Sequence, residues 1–118
     1  MTKKTATPWQ TENWHVSSWN YLPEVTQGFN PPKKVRIHDV TLRDGEQQAG
    51  IIYTKDDKIR IAEKLAEAGV HRIETGMPAV SPMDEAAIRE IVKRNLGPEI
   101  FCFSRCIVDD VKRAADCG

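Results

Sequence analysis

Three times between Val35 and Gly118 a short β-branched or apolar run gives way to a stretch with helical periodicity. The runs are VRIHDV (35–40), VHRIET (70–75) and EIFCFS (99–104), all of strand length. After the first comes TKDDKIRIAEKLAEAG, where Thr54 and Asp57 have capping-box spacing and Gly69 stands at the C-cap position. At about 100° per residue, Ile59, Ile61, Ala62, Leu65, Ala66 and Ala68 share one half of that helix. Arg60, Glu63, Lys64 and Glu67 occupy the other half, so one face is expected to be buried. The second helix opens with Ser81 as N-cap, Pro82 at its first position and Asp84 in its first turn, and stops at Gly97-Pro98. DDVKRAADCG begins a third.

The order β-α-β-α-β-α predicts a parallel sheet with right-handed crossovers. An open doubly wound sheet and the opening of a (β/α)8 barrel both fit. A whole barrel needs about 250 residues, so 118 residues hold less than half of one. Residues 1–34 differ in character: they carry all three Trp and four Pro, without a sustained period. They read as an irregular arm ahead of a 35–118 domain. Trp14, Trp19, Tyr21 and Phe29 are expected to lie against this domain or a second subunit.

Seventeen basic and seventeen acidic residues cancel, so no basic face points to nucleic acid or an anionic membrane. No apolar run approaches the roughly 20 residues that span a bilayer, and the N-terminus lacks an apolar signal core, which implies a cytoplasmic protein. Cys102, Cys106 and Cys117 match no zinc or redox spacing and read as reduced, mostly packed thiols.

Ligands of parallel α/β folds bind at the C-terminal ends of the strands, where the loops converge. DVTLRDGEQ occupies that position after the first strand, ETGMP after the second, and Ser104 and Arg105 after the third. An Asp-Gly turn alone requires only those two residues. Arg43 before it, Gln47 after it and Glu74 at the matching end of the next strand indicate a shared site.

DVTLRDGEQQAG, AGVHRIETGMPAVSPMDEAAI and FSRCIVDDVKRAADCG together resemble the pyruvate-carboxyltransferase-like (DRE-TIM) metalloenzymes from Val35 to Gly118. TLRDGEQ followed by AG is most similar to the Claisen-type synthases, closest to 2-isopropylmalate and homocitrate synthases. The resemblance implies the first three β/α units of a (β/α)8 TIM barrel, an acyltransferase condensing acetyl-CoA with a 2-oxo acid, and a homodimer when complete. It implies Asp44 as a ligand of a divalent cation, Mg²⁺, Mn²⁺ or Zn²⁺, that polarises the substrate carbonyl. Arg43 would stabilise the developing alkoxide. Gln47, Glu74 and Arg105 would contact or position substrate, with a rim salt bridge as the alternative for Arg105. Asp39 and Glu46 would either support Arg43 or serve a purely structural role, the commoner use of charges beside a site. A salt bridge to Arg72 is the competing use of Glu74.

The family completes its metal site with a late His-x-His pair, whereas His15, His38 and His71 stand alone. The 118 residues by themselves are therefore expected to be inactive, with an open sheet edge and an uncovered face. A 3-hydroxy-3-methylglutaryl-CoA-lyase-like carbon–carbon lyase and a non-catalytic α/β assembly module are the alternative functions.

Overall fold

A computed structural model of the chain describes residue 7 and residues 9–118, in two compact units that divide between Lys34 and Val35. The first contains a 3-10 turn at Ser18–Tyr21 and a single helical turn, α1 (Pro23–Thr26). The Trp9 and Tyr21 rings lie 5.8 Å apart. Trp14, Trp19, Tyr21 and Phe29 are exposed in the single chain.

The second unit alternates strand and helix: β1 (His38–Asp39), α2 (Lys55–Glu67), β2 (Arg72–Glu74), α3 (Pro82–Arg94), β3 (Glu99–Phe101) and α4 (Val108–Ala115). The strands form one parallel sheet in the order β1-β2-β3. Each is shorter than its sequence run. β1 ends because Val40 (φ −122°, ψ 17°) leaves the extended region and starts a π-helical turn, Thr41–Gly45. Past β2 and β3 the chains stay paired through Thr75 N–H to Phe101 O and Phe103 N–H to Gly76 O, both 2.8 Å.

Helix ends follow local chemistry. Thr54 and Asp57 form the full capping box, side chain to backbone in both directions. At the other end of α2, Gly69 (φ +83°) donates to Ala66 O and Val70 to Leu65 O, a Schellman pair. Ala68, expected on the buried face, is the exposed C-cap of this motif. α3 stops at Asn95, before the expected Gly97-Pro98, because Asn95 adopts the left-handed conformation its short amide tolerates.

Strand register sorts the side chains. Asp39, Ile73 and Ile100 align on one face, and His38, Arg72 and Glu99 on the other, with Glu74 beside Phe101. Ile73 packs with Leu42, Ile59, Ala62 and Ile91 in a fully or nearly fully buried core between the sheet and helices α2 and α3. The opposite face carries His38 stacked on Phe101, Arg72 over the same ring, and Glu99 bridging Arg36 and Arg72. It has no layer of its own within the Val35–Gly118 unit. Val108 and Val111 likewise leave an exposed apolar stripe on α4. No helix among the described residues is long and apolar enough to cross a membrane.

Candidate active site

The turn after β1 is fixed at its start by Asp39, whose carboxylate accepts hydrogen bonds from Thr41 N–H (2.9 Å) and Thr41 Oγ1 (3.2 Å). Three successive amides, those of Arg43, Asp44 and Gly45, then converge on Val40 O at 3.1, 2.9 and 3.2 Å. Leu42 points inward and is fully buried. The tight turn thus drives one apolar side chain into the core and delivers the next two, Arg43 and Asp44, to the C-terminal rim of the sheet.

Arg43 meets three groups there. Glu74 Oε2 lies 3.1 Å from Nε, Asp44 Oδ1 3.0 Å from Nη1, and the Phe103 ring centroid 5.4 Å from the guanidinium carbon. Although Glu74 lies within ion-pair distance, the buried Nε–H has no aligned hydrogen-bond acceptor. The contact is therefore coulombic attraction without hydrogen-bond geometry. Glu74 is well buried, its side chain 12% exposed, whereas that of Asp44 is 65% exposed. The rim presents a guanidinium with a carboxylate behind it and an accessible carboxylate beside it.

The loop after β2 needs Gly76 for its backbone: its φ is +123°, a conformation L side chains rarely adopt, and a Cβ there would sit 3.4 Å from Leu42 O, about van der Waals contact. Thr75, fully buried, donates from Oγ1 to Phe101 O at 2.9 Å and ties the second loop to the third strand.

Arg43, Asp44 and Glu74 are thus brought together, and Glu74 turns to Arg43 while Arg72 is taken by Glu99. Gln47 is exposed and lines a cavity of about 270 Å³ with Arg43, Glu46, Ile51, Met77 and Met83. Arg105 is held by Asp110 in the first turn of α4, with Nε and Nη2 donating to its two oxygens at 2.6 and 3.1 Å. That hydrogen-bonded pairing keeps the Asp110 carboxyl below its ordinary range.

Asp39 and Glu46 take the structural alternative and do not touch Arg43. Asp39 binds the turn backbone instead of Arg43, since its short side chain reaches its own neighbour two residues on. Glu46 pairs with Lys58 Nζ at 2.8 Å. Lys58 itself, 1% exposed and also bound to Asp84, was missed by sequence reasoning, as was Phe103. The sequence does carry a signal for Lys58: it lies one helical turn before Ala62, on the apolar face of α2.

As a cation ligand, Asp44 is chemically suitable, an accessible hard oxygen donor. Among the described residues no group of three or more His, Cys, Asp or Glu side chains is placed to hold a metal ion, so a cation at Asp44 would need further donors from outside them. His38 stacks on Phe101 and His71 Nδ1 accepts the Ile37 N–H, so neither joins Asp44. Of the cysteines, Cys117 is buried, Cys102 half-buried and Cys106 exposed, the last contrary to the packing expected of it.

Residues 34–118 match the model of the HMGL-like family. The chain belongs to that family. A "Probable 2-isopropylmalate synthase" of Ignicoccus hospitalis is 49% identical over 87 residues, 74% of this chain and 22% of that protein. The homocitrate synthase AksA of Methanopyrus kandleri is 40% identical over 97 residues, 82% of this chain and 24% of that protein. A protein assigned as an (R)-citramalate synthase in Methanosphaerula palustris is 48% identical over 86 residues, 73% of this chain and 17% of its own length. The chain spans about a fifth of the length of these relatives, which fits an N-terminal portion of an HMGL-like (DRE-TIM) domain. The parallel three-stranded sheet is consistent with part of a TIM-barrel-like domain.

Proposed function

We propose that this chain carries the alkoxide-stabilising and cation-binding rim of a synthase that condenses acetyl-CoA with a 2-oxo acid. The supporting observation is the Arg43 guanidinium held between Glu74 and Asp44 and over Phe103, in a segment of an HMGL-like domain. The relatives' products, 2-isopropylmalate, homocitrate and citramalate, share one disconnection. Removing the acetyl-derived carboxymethyl group leaves a 2-oxo acid bearing an isopropyl, carboxyethyl or methyl group.

In the forward direction the methyl carbon of acetyl-CoA, after losing a proton, forms a bond to C2 of the 2-oxo acid. The carbonyl π pair moves to oxygen, and the resulting alkoxide takes a proton to become the tertiary hydroxyl. Water then cleaves the thioester and releases CoA. Arg43 is a fixed positive charge for that oxygen, and Glu74, too buried to be freely solvated, keeps the guanidinium from swinging away. Asp44 would supply one oxygen to a divalent cation, which when bound would polarise the 2-oxo carbonyl. Gln47 orients substrate from the neighbouring cavity, and Arg105 contacts it only after release from Asp110.

The test is an assay of CoA release by the complete protein bearing this chain, with the three 2-oxo acids and with or without a chelator. Chelator-sensitive release with one acid supports the reading. Cleavage of a hydroxyacyl-CoA without condensation would replace it with the lyase.

A further inference from the structure

We infer that Lys58 is a buried positioning residue that locks the Arg43–Asp44 turn to the two helices behind it. The inference deepens the proposed function and rests on it for the meaning of the turn, though not for the contacts. Lys58 is 1% exposed, and its ammonium binds Glu46 Oε2 at 2.8 Å and Asp84 Oδ1. Asp84 in turn accepts from Ser81 Oγ at 2.5 Å, and its N–H donates back to Ser81 Oγ at 3.1 Å. One cation therefore joins the end of the turn, the first turn of α2 and the N-cap of α3.

Stability alone does not account for a lysine here. Burying an ammonium and two carboxylates costs several kcal/mol of desolvation, and buried ion pairs are often replaced by apolar groups at no net loss. Leucine or methionine on this face of α2 would extend the core that Ile59 and Ala62 already join. An apolar residue, however, cannot dictate the direction of a neighbouring loop, whereas a charged hydrogen-bond set can.

The direction fixed is that of the site. Glu46 caps the π-helical turn, its N–H bonded to Arg43 O. Asp39 pins the start of the turn at Thr41, and Lys58 pins its end at Glu46. Arg43 and Asp44 lie between these two points. Leu42 anchors the same turn through packing, which resists withdrawal but leaves rotation less constrained. Lys58 is thus the long-range polar tie on the downstream side of the site.

The experiment uses this chain and follows individual amides and the Arg43 Nε–H by NMR hydrogen exchange. Glu46→Gln breaks the turn-side ion pair and leaves Lys58 paired with Asp84, so folding is preserved. The expected result is about tenfold faster exchange at Asp44, Gly45 and Gln47, the scale of one lost charged hydrogen bond. The Arg43 Nε–H signal should shift or broaden, while α3 amides keep their rates. Lys58→Arg should restore near-normal turn rates, and Lys58→Met should loosen both the turn and the start of α3. Unchanged exchange at Asp44 and Gly45 in Glu46→Gln would overturn the inference, as would a uniform acceleration of all amides, the mark of a purely structural role. None of these readouts uses catalysis. An Arg43→Lys change that spares CoA release in the complete protein would remove the functional reading and leave the lock standing.

Discussion

Leu42→Ala is expected to destabilise the Val35–Gly118 unit by about 3 kcal/mol. Leu42 is fully buried against Ile59, Ala62, Ile73 and Ile91, so truncation removes three carbons' worth of contact from four directions. Leu→Ala losses in cores run from about 2.7 to 5 kcal/mol according to how far the surroundings collapse. Here the neighbours Tyr53, Ile61 and Leu65 are only partly buried and free to move inward, which places the loss at the low end. Since small domains hold about 5–15 kcal/mol in total, the effect is large. Urea unfolding followed by far-ultraviolet circular dichroism avoids the tryptophans, all of which lie in the N-terminal unit. With a slope of about 1.5 kcal/mol/M, the midpoint should fall by about 2 M at unchanged slope. A shift worth less than about 1 kcal/mol would refute the idea that the turn is anchored through the core.

Gly76→Ala should cost about 1–3 kcal/mol from its positive φ; a neutral result in thermal unfolding would contradict that backbone geometry. Thr54→Ala removes half of a capping box and should cost about 1 kcal/mol, read from the same unfolding curves. Acid should destabilise the fold: hydrogen bonds from Arg36 to Glu99, from Arg105 to Asp110 and from Thr54 to Asp57 hold these carboxyls below their ordinary values. The unfolded chain then binds protons first as pH falls, so the stabilisation is whole above the ordinary carboxylate range of about 4 and is lost as pH drops through the folded values. A stability profile flat from neutral pH to about 3 would contradict this. Burial raises the Cys102 and Cys117 thiols, while Cys106 is exposed. A thiol reagent should therefore label Cys106 quickly, Cys102 more slowly and Cys117 slowest.

The alternation of strands and helices was legible because the first two amphipathic stretches carry their own start signals, whereas α4 follows Ile107, an N-cap without a side-chain hydrogen bond. Thr54 with Asp57, and Ser81 before Pro82, set the helix starts that the structure shows. Strand lengths were less legible, since a parallel ladder ends where its neighbour turns, and Val40 turns early for reasons that lie in the following π-helical turn. At the site, the position of Arg43, Asp44 and Glu74 followed from the rule that loops at strand C-termini converge. Their partners did not follow. Glu46 and Asp39 lie three and four positions from Arg43, yet one pairs with the buried Lys58 and the other with Thr41 two residues on, because partner choice depends on the donors the fold brings within reach. Lys58 was hidden by the habit of reading charged residues as solvent-facing.

The most direct test of the function places residues 34–118 of this chain in a complete homologous synthase and follows CoA release from acetyl-CoA and a 2-oxo acid. With Arg43 and Asp44 in place, release should depend on a divalent cation. Arg43→Lys should cut it by at least about a hundredfold, on the scale of losing one preorganised oxyanion donor, and Asp44→Asn should abolish the cation-dependent turnover. Undiminished turnover in both variants would contradict the assignment of this rim as the place where charge develops.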